Sequence, residues 1–284
     1  MEEQMKRPEM ILFDYGHTLL YEPGFDALRC EEAAYPYIVE NPLRLSAKQI
    51  YVEVQKLFQR FQKERDNGIE IHQWQFMRLA YEYLGLTFSI SNEELEEIEW
   101  TAASPGAVMP KAEKILAYLE EAGIRTGVIS NIGWSGQALA TRINRLLPNN
   151  RFEFIMASSE YAVRKPDRLL FETALRKAGL LPEQVWYCGD SIRADVFGAQ
   201  GAGIYPVLYE GSAPYDENPF AHQNDGVAAA FDYLHIYDWD ELIGVLEACE
   251  GFEISVEEYE KAKRQIAEWQ EEDHNLFTGI GQEG

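Results

Sequence analysis

The run Met10-Ile11-Leu12-Phe13 contains no polar side chain and ends abruptly at Asp14. A short continuous run of this kind suits a strand covered on both faces, as in the interior of a parallel sheet. An acid at the end of such a strand is costly to bury unless it is used. Ligands of open α/β sheets sit outside the carboxyl ends of the strands. Asp14 therefore falls where chemistry is expected, followed closely by Tyr15-Gly16-His17-Thr18.

The same pattern resumes far downstream. From Pro110 the chain alternates helix and strand, the mark of an α/β doubly wound parallel sheet. The expected order is a helix over 110–121, a strand ending Gly127-Val128-Ile129-Ser130-Asn131, a helix over 135–147 and a strand over 152–157. A helix over 167–178 then leads to a strand over 185–188 that ends in Gly189-Asp190-Ser191, followed by a further helix, strands over 205–209 and 235–237, and a helix over 240–250.

Between the first strand and Pro110 the periodicity is helical. Ser46-Ala47-Lys48-Gln49 has the form of a capping box, and Ile50, Val54, Leu57, Phe58 and Phe61 recur at helical spacing as far as Asn67-Gly68. A second helix fits 72–84, and Ser91-Asn92-Glu93-Glu94 opens a third. The expected organisation is a core built from 1–20 and 106–250, an all-helical domain inserted over 21–105, and an acidic helical tail over 251–284.

A length of 284 residues with 46% hydrophobic content is ample for a real core. The formal net charge of −23 disfavours phosphate backbones and anionic lipid surfaces, so neither nucleic acid nor membrane is an expected partner. Cys30, Cys188 and Cys249 have no metal-site or disulfide spacing, the N-terminal residues lack an apolar signal core, and no apolar stretch is long enough to span a bilayer. A cytoplasmic location is the expectation.

Polar residues stand at successive strand ends or in nearby loops: Asp14 and Thr18, Ser130 and Asn131, Lys165, then Asp190 and Asp195. Taken singly they are ordinary. Ser130 and Asn131 suit a turn or cap, Asp195 the first turn of a helix, and Lys165 a solvated surface. The order of the set, with Lys165-Pro166 opening a helix and Gly189-Asp190-Ser191-Ile192-Arg193-Ala194-Asp195 following a strand, resembles the haloacid dehalogenase superfamily over roughly residues 9–20 and 106–250.

That resemblance implies a magnesium-dependent phosphohydrolase acting on a small phosphorylated metabolite. Asp14 would be the nucleophile, forming an aspartyl phosphate that splits one difficult displacement into two easier ones. Thr18, Ser130 and Asn131 would bind phosphoryl oxygens, and Lys165 would neutralise the nucleophile and the transferring group. Mg²⁺ would be held by Asp14, the backbone carbonyl of Gly16, Asp190 and Asp195, in keeping with its preference for a few carboxylates plus substrate oxygens. The inserted helices resemble the cap that closes over the site in this family. Phe58, Phe61, Trp74, Phe76, Tyr81, Tyr83 and Trp100 belong either to its core or to a pocket wall, and Trp134 is the better placed for a pocket.

One position departs from the family. Phosphatases of this superfamily generally carry a second acid two residues after the nucleophile, where it protonates the leaving oxygen; here that residue is Gly16. General acid–base help is worth about 10² to 10⁴ in rate. His17 is adjacent, although alternation along an extended chain would turn it away from Asp14. A substrate with a good leaving group, such as an anomeric or aryl phosphate, would dispense with the acid. Two other readings stay open: a catalytically weak or silent binding or regulatory protein, and a phosphonate hydrolase using a Schiff-base lysine from the insertion, where Lys48, Lys56 and Lys63 lie.

Overall fold

The computed structural model describes residues 6–211 and 223–249; the expected helical tail lies outside them. The chain opens with β1 (Met10–Phe13) and the short β2 (Leu20–Tyr21). The insertion follows as α1 (Leu28–Ala34), β3 (Ile38–Glu40), α2 (Ala47–Gln59), α3 (Gln62–Asp66), α4 (Gln73–Leu84), β4 (Thr87–Phe88) and α5 (Asn92–Ala103). The core resumes with β5 (Ala107–Val108), α6 (Ala112–Glu121), β6 (Arg125–Ser130), α7 (Gly136–Leu146), β7 (Phe152–Ala157) and α8 (Arg168–Ala178). It finishes with β8 (Val185–Gly189), α9 (Phe197–Gly201), β9 (Tyr205–Tyr209), β10 (Leu234–Ile236) and α10 (Trp239–Ala248).

Six strands form one sheet in the order β10-β9-β8-β1-β6-β7, with every pairing parallel. β1 is covered on both faces, as its composition requires. Ile11 and Phe13 pack with Ile115, Leu139 and Trp239 on one side, and Met10 and Leu12 with Phe171, Ala174 and Leu175 on the other. Each such fully buried side chain contributes about 1.5–3 kcal/mol. The chain leaves β1 toward β6 and β7 on one flank and returns to β8 on the other. The direction of winding thus reverses at β1, opening a crevice beyond its carboxyl end.

The insertion has a hydrophobic core of its own, built from residues such as Ile50, Val54, Phe76, Ala80, Tyr81 and Leu84. Both capping boxes form: Ser46 with Gln49 at the start of α2, and Ser91 with Glu94 at the start of α5. Two details differ from expectation. The helix expected to reach Asn67 breaks at Arg60, whose amide bonds back to Leu57 and tightens the turn before α3. The insertion also includes a minimal antiparallel pair, β3 with β4, in which Ile38 lies opposite Phe88. No helix among the described residues is long and apolar enough to cross a membrane.

Buried acids tie the insertion to the core and to itself. Glu96 of α5 accepts hydrogen bonds from the amide and hydroxyl of Ser135, the N-cap of α7, and from Trp74 Nε1 at 2.7 Å. Glu70 accepts from the Ser158 hydroxyl at 2.7 Å and pairs with Arg164 and Arg65. Within the insertion, Tyr81 donates to Glu99 at 2.6 Å and approaches Glu31 at 3.2 Å.

Burial raises the Glu31 carboxyl to about 7; burial and the neighbouring Glu31 raise Glu99 to about 8. Both hold protons in the folded state at pH values where the unfolded chain has lost them. Stability is therefore expected to fall as pH rises from about 4.5 to about 8. Glu99→Gln should raise the thermal midpoint at pH 8 and change it little at pH 5. Unfolding followed by circular dichroism at the two values checks this, and an unchanged slope would assign it to other groups.

Candidate active site

Asp14 stands one residue past β1, with its amide bonded to the Cys188 carbonyl of the adjacent β8 at 2.8 Å. Ser130 ends β6, and Asp190 directly follows β8. All line one cavity of about 760 Å³ above the reversal in the sheet. A methyl group at Gly189 would sit 2.3 Å from Asp195 Cγ, so only glycine lets the chain pass this acid. Beyond it, the Ser191 carbonyl accepts from the amides of both Asp195 and Val196, a widened turn that carries Asp195 back toward the sheet.

Lys165 is the electrostatic centre. Its ammonium is buried and donates to Asp14 Oδ1 at 2.6 Å, Asp195 Oδ1 at 2.6 Å and the Tyr187 hydroxyl at 2.7 Å. Burial disfavours this charge, but the carboxylates of Asp14 and Asp195 outweigh it and hold the lysine above its ordinary range. Asp14 is pushed up to about 6 by burial against the opposing pull of Lys165, with Asp195 adding repulsion. Burial and the charges of Asp14 and Asp195 likewise raise Asp190. Lys165→Ala would leave these acids without their shared cation, a loss of about 3–5 kcal/mol expected in denaturant unfolding at pH 7.

Asp14, Asp190 and Asp195 each bring a carboxylate oxygen within 4.8 Å of the others. One lysine cannot balance three acids, and the excess negative charge suits a divalent cation that prefers oxygen ligands. The donor set therefore fits Mg²⁺. Asp195 is held through both oxygens, Oδ1 by Lys165 and Tyr187 and Oδ2 by the Ser191 amide at 2.9 Å.

Ser130 is placed as expected, and Asn131 and Thr18 are not. Ser130 and Asn131 line the cavity, but both ends of the Asn131 amide are engaged by the backbone of Lys165, at 2.7 and 2.9 Å. Its side chain thus fixes the lysine instead of reaching for a phosphoryl oxygen. Thr18 is a clearer departure. Its side chain is fully buried, its hydroxyl has no hydrogen-bond partner, and it is not part of the cavity wall. The cause is the turn at His17, which adopts a left-handed φ of 51° and sends the next residues into the core. The same turn puts His17 on the cavity wall, so alternation along an extended chain does not apply. Lys48, Lys56 and Lys63 are absent from the wall, and Lys56 pairs with Glu53 at 2.7 Å, which removes the basis for a Schiff-base lysine there.

Several contributors had no sequence signal. Gln223 donates to Asp190 Oδ2 at 2.8 Å, and Asn224 donates to the Asp190 carbonyl at 2.8 Å. They precede β10 in an aperiodic stretch. Tyr187 was hidden inside an apolar strand, yet its hydroxyl contacts Lys165, Asp195 and the Ile129 carbonyl. The aromatic residues of the insertion helices do not reach the cavity; the linker residues Tyr21, Glu22 and Phe25, with Trp134, do.

Residues 48–208, more than half of the chain, match the haloacid dehalogenase-like hydrolase model. The chain belongs to the haloacid dehalogenase-like hydrolases. A glyceraldehyde 3-phosphate phosphatase of Methanothermobacter thermautotrophicus is 25% identical over 217 residues, covering 75% of this chain and 91% of that protein. A ribulose-1,5-bisphosphate 5-phosphatase of Halopiger xanaduensis is 22% identical over 235 residues, covering 80% and 94%. The fold is also that of a HAD phosphatase from Thermococcus onnurineus, with a TM-score of 0.54, 18% identity, and coverage of 84% of this chain and 98% of the other.

Proposed function

We propose that this hydrolase is a magnesium-dependent phosphohydrolase that acts on a small phosphorylated metabolite through a phosphoenzyme on Asp14. The observation that carries this reading is the convergence of Asp14, Lys165, Asp190 and Asp195 on one cavity, with Asp14 2.6 Å from the lysine. The phosphatase relatives named above support the same reading.

In this mechanism Lys165 holds Asp14 Oδ1 and leaves Oδ2 to attack phosphorus. Ser130 offers its hydroxyl to a phosphoryl oxygen, and Asn131 keeps Lys165 in register through its backbone. Asp14, the Gly16 carbonyl, Asp190 and Asp195 would hold Mg²⁺, with Gln223 orienting Asp190. Bound Mg²⁺ supplies charge neutralisation that lets an anion approach a phosphate. The insertion serves as a cap, anchored through Glu70 and Glu96, and the linker at Tyr21–Phe25 meets the substrate.

A panel of phosphorylated metabolites, including glyceraldehyde 3-phosphate and ribulose 1,5-bisphosphate, assayed with and without Mg²⁺ tests the proposal. Release of inorganic phosphate that is lost on chelation is expected. Gly16 favours one rival, a silent protein that binds phosphate compounds without turning them over; binding without release across the panel would establish it.

A further inference from the structure

We propose that the cavity beside Asp14 takes an aryl leaving group, so that the substrate is the phosphate monoester of a phenol-type hydroxyl. The inference rests on the phosphohydrolase reading above and adds the chemical class of the departing group. Two independent features point to it: an aromatic wall on the cavity, and the missing proton donor at Gly16.

The wall is built around Trp134. Its ring stacks on Trp100 with centroids 5.1 Å apart and an angle of 11° between planes. The guanidinium of Arg142 lies 3.8 Å from the centroid of the same Trp100 ring. Arg142 is itself buried and bonded to Glu22 at 3.3 Å and to the Ser104 carbonyl at 2.9 Å. Glu22 also accepts from Trp100 Nε1 at 2.6 Å. Trp134 is therefore braced from behind by a stack whose polar groups already have partners. A flat surface held in this way loses little conformational freedom when a ring settles on it. Tyr21, Phe25 and Ile132 extend the apolar wall of the same cavity as Asp14 and Lys165.

The chemistry agrees with the shape. Asp14 attacks phosphorus, the bond from phosphorus to the aryl oxygen breaks, and its electron pair leaves with the aryl oxide. That oxide is the conjugate base of an acid with pKa about 10, as for tyrosine, whereas an alkoxide resembles hydroxide, whose parent water has a pKa of about 15.7. An aryl oxide departs without a proton and takes one from solvent afterwards. Water then attacks the aspartyl phosphate and breaks its acyl phosphate bond, giving up a proton to solvent that balances the one taken by the aryl oxide; inorganic phosphate leaves, Asp14 is restored, and the sum is ester plus water to phenol plus phosphate. A site with glycine where an acid would stand is adequate for this leaving group and poor for an alkoxide.

The test separates the ring from the leaving group. Phenyl phosphate has both an aromatic ring and an aryl oxide, benzyl phosphate has the ring but leaves as an alkoxide, and glyceraldehyde 3-phosphate has neither advantage. With Mg²⁺, phenyl and benzyl phosphates are expected to share a KM within about threefold, while kcat for phenyl phosphate is higher by about 10²-fold. Trp134→Ala should raise KM for both aromatic esters about tenfold. Phe25→Ala, at a side chain that is 48% exposed, should raise it in the same direction. Equal or faster turnover of glyceraldehyde 3-phosphate or glucose 1-phosphate, or unchanged KM in a folded variant, overturns the aryl subsite and leaves the phosphohydrolase reading standing. Failure of every ester, with and without Mg²⁺, removes that reading and this inference with it.

Discussion

Asp14→Asn is expected to reduce turnover by on the order of 10⁴-fold or more while the protein stays folded. Asparagine keeps the size of the side chain but lacks the anionic oxygen that attacks phosphorus. The fold is expected to persist on electrostatic grounds. Lys165 retains Asp195 at 2.6 Å and the Tyr187 hydroxyl at 2.7 Å, so its ammonium stays paired. Burial and Asp195 already push the Asp14 carboxyl up to about 6, despite Lys165, so at pH 7 its charge is a destabilising feature of the metal-free protein. The thermal midpoint of the variant without Mg²⁺ should therefore equal or exceed that of the parent. Stopped turnover with an unchanged or higher midpoint assigns the loss to chemistry; wild-type turnover by the variant would exclude Asp14 as nucleophile.

Gly16→Asp should accelerate hydrolysis of alkyl phosphate esters by about 10² to 10⁴ and leave aryl esters nearly unchanged. The position has room for the change. A Cβ built on Gly16 meets only Asp14 Oδ2, at 3.9 Å, and the backbone there is not left-handed. The new carboxyl would face the cavity that already holds Asp14, and mutual repulsion would favour its protonated form, the form that donates to a leaving oxygen. Pre-steady-state measurement of alcohol release from glyceraldehyde 3-phosphate and benzyl phosphate checks the rate of the step concerned. No acceleration in a folded variant would show that protonation does not limit the parent, and His17, which the turn places on the cavity wall, is then the residue to replace.

Much of the framework is legible in the sequence. The apolar run ending at Asp14, the capping boxes at Ser46 and Ser91, and the strand endings at Ser130 and Gly189 are local signals, and local signals are what a sequence displays. The helices expected over 135–147 and 167–178 form as Gly136–Leu146 and Arg168–Ala178, with the side chains of Ser135 and Asp167 capping their first turns. At His17 the expectation fails because the chain changes direction. The left-handed turn at His17 sent Thr18 into the core and brought the histidine to the cavity, reversing what extended alternation predicts.

The sequence by itself determined that this chain forms a parallel α/β sheet with acids and a lysine at strand ends or in nearby loops, because periodicity and strand-terminal polarity are properties of neighbouring residues. Only the tertiary structure decided how those groups share their charges. Lys165 lies 151 residues from Asp14 along the chain, yet its ammonium serves Asp14, Asp195 and Tyr187 at once. The same holds for Glu22, Arg142, Trp100 and Trp134, which form the braced wall. Such groupings depend on packing between distant segments, where burial strengthens the attraction between paired charges and leaves no periodicity to read.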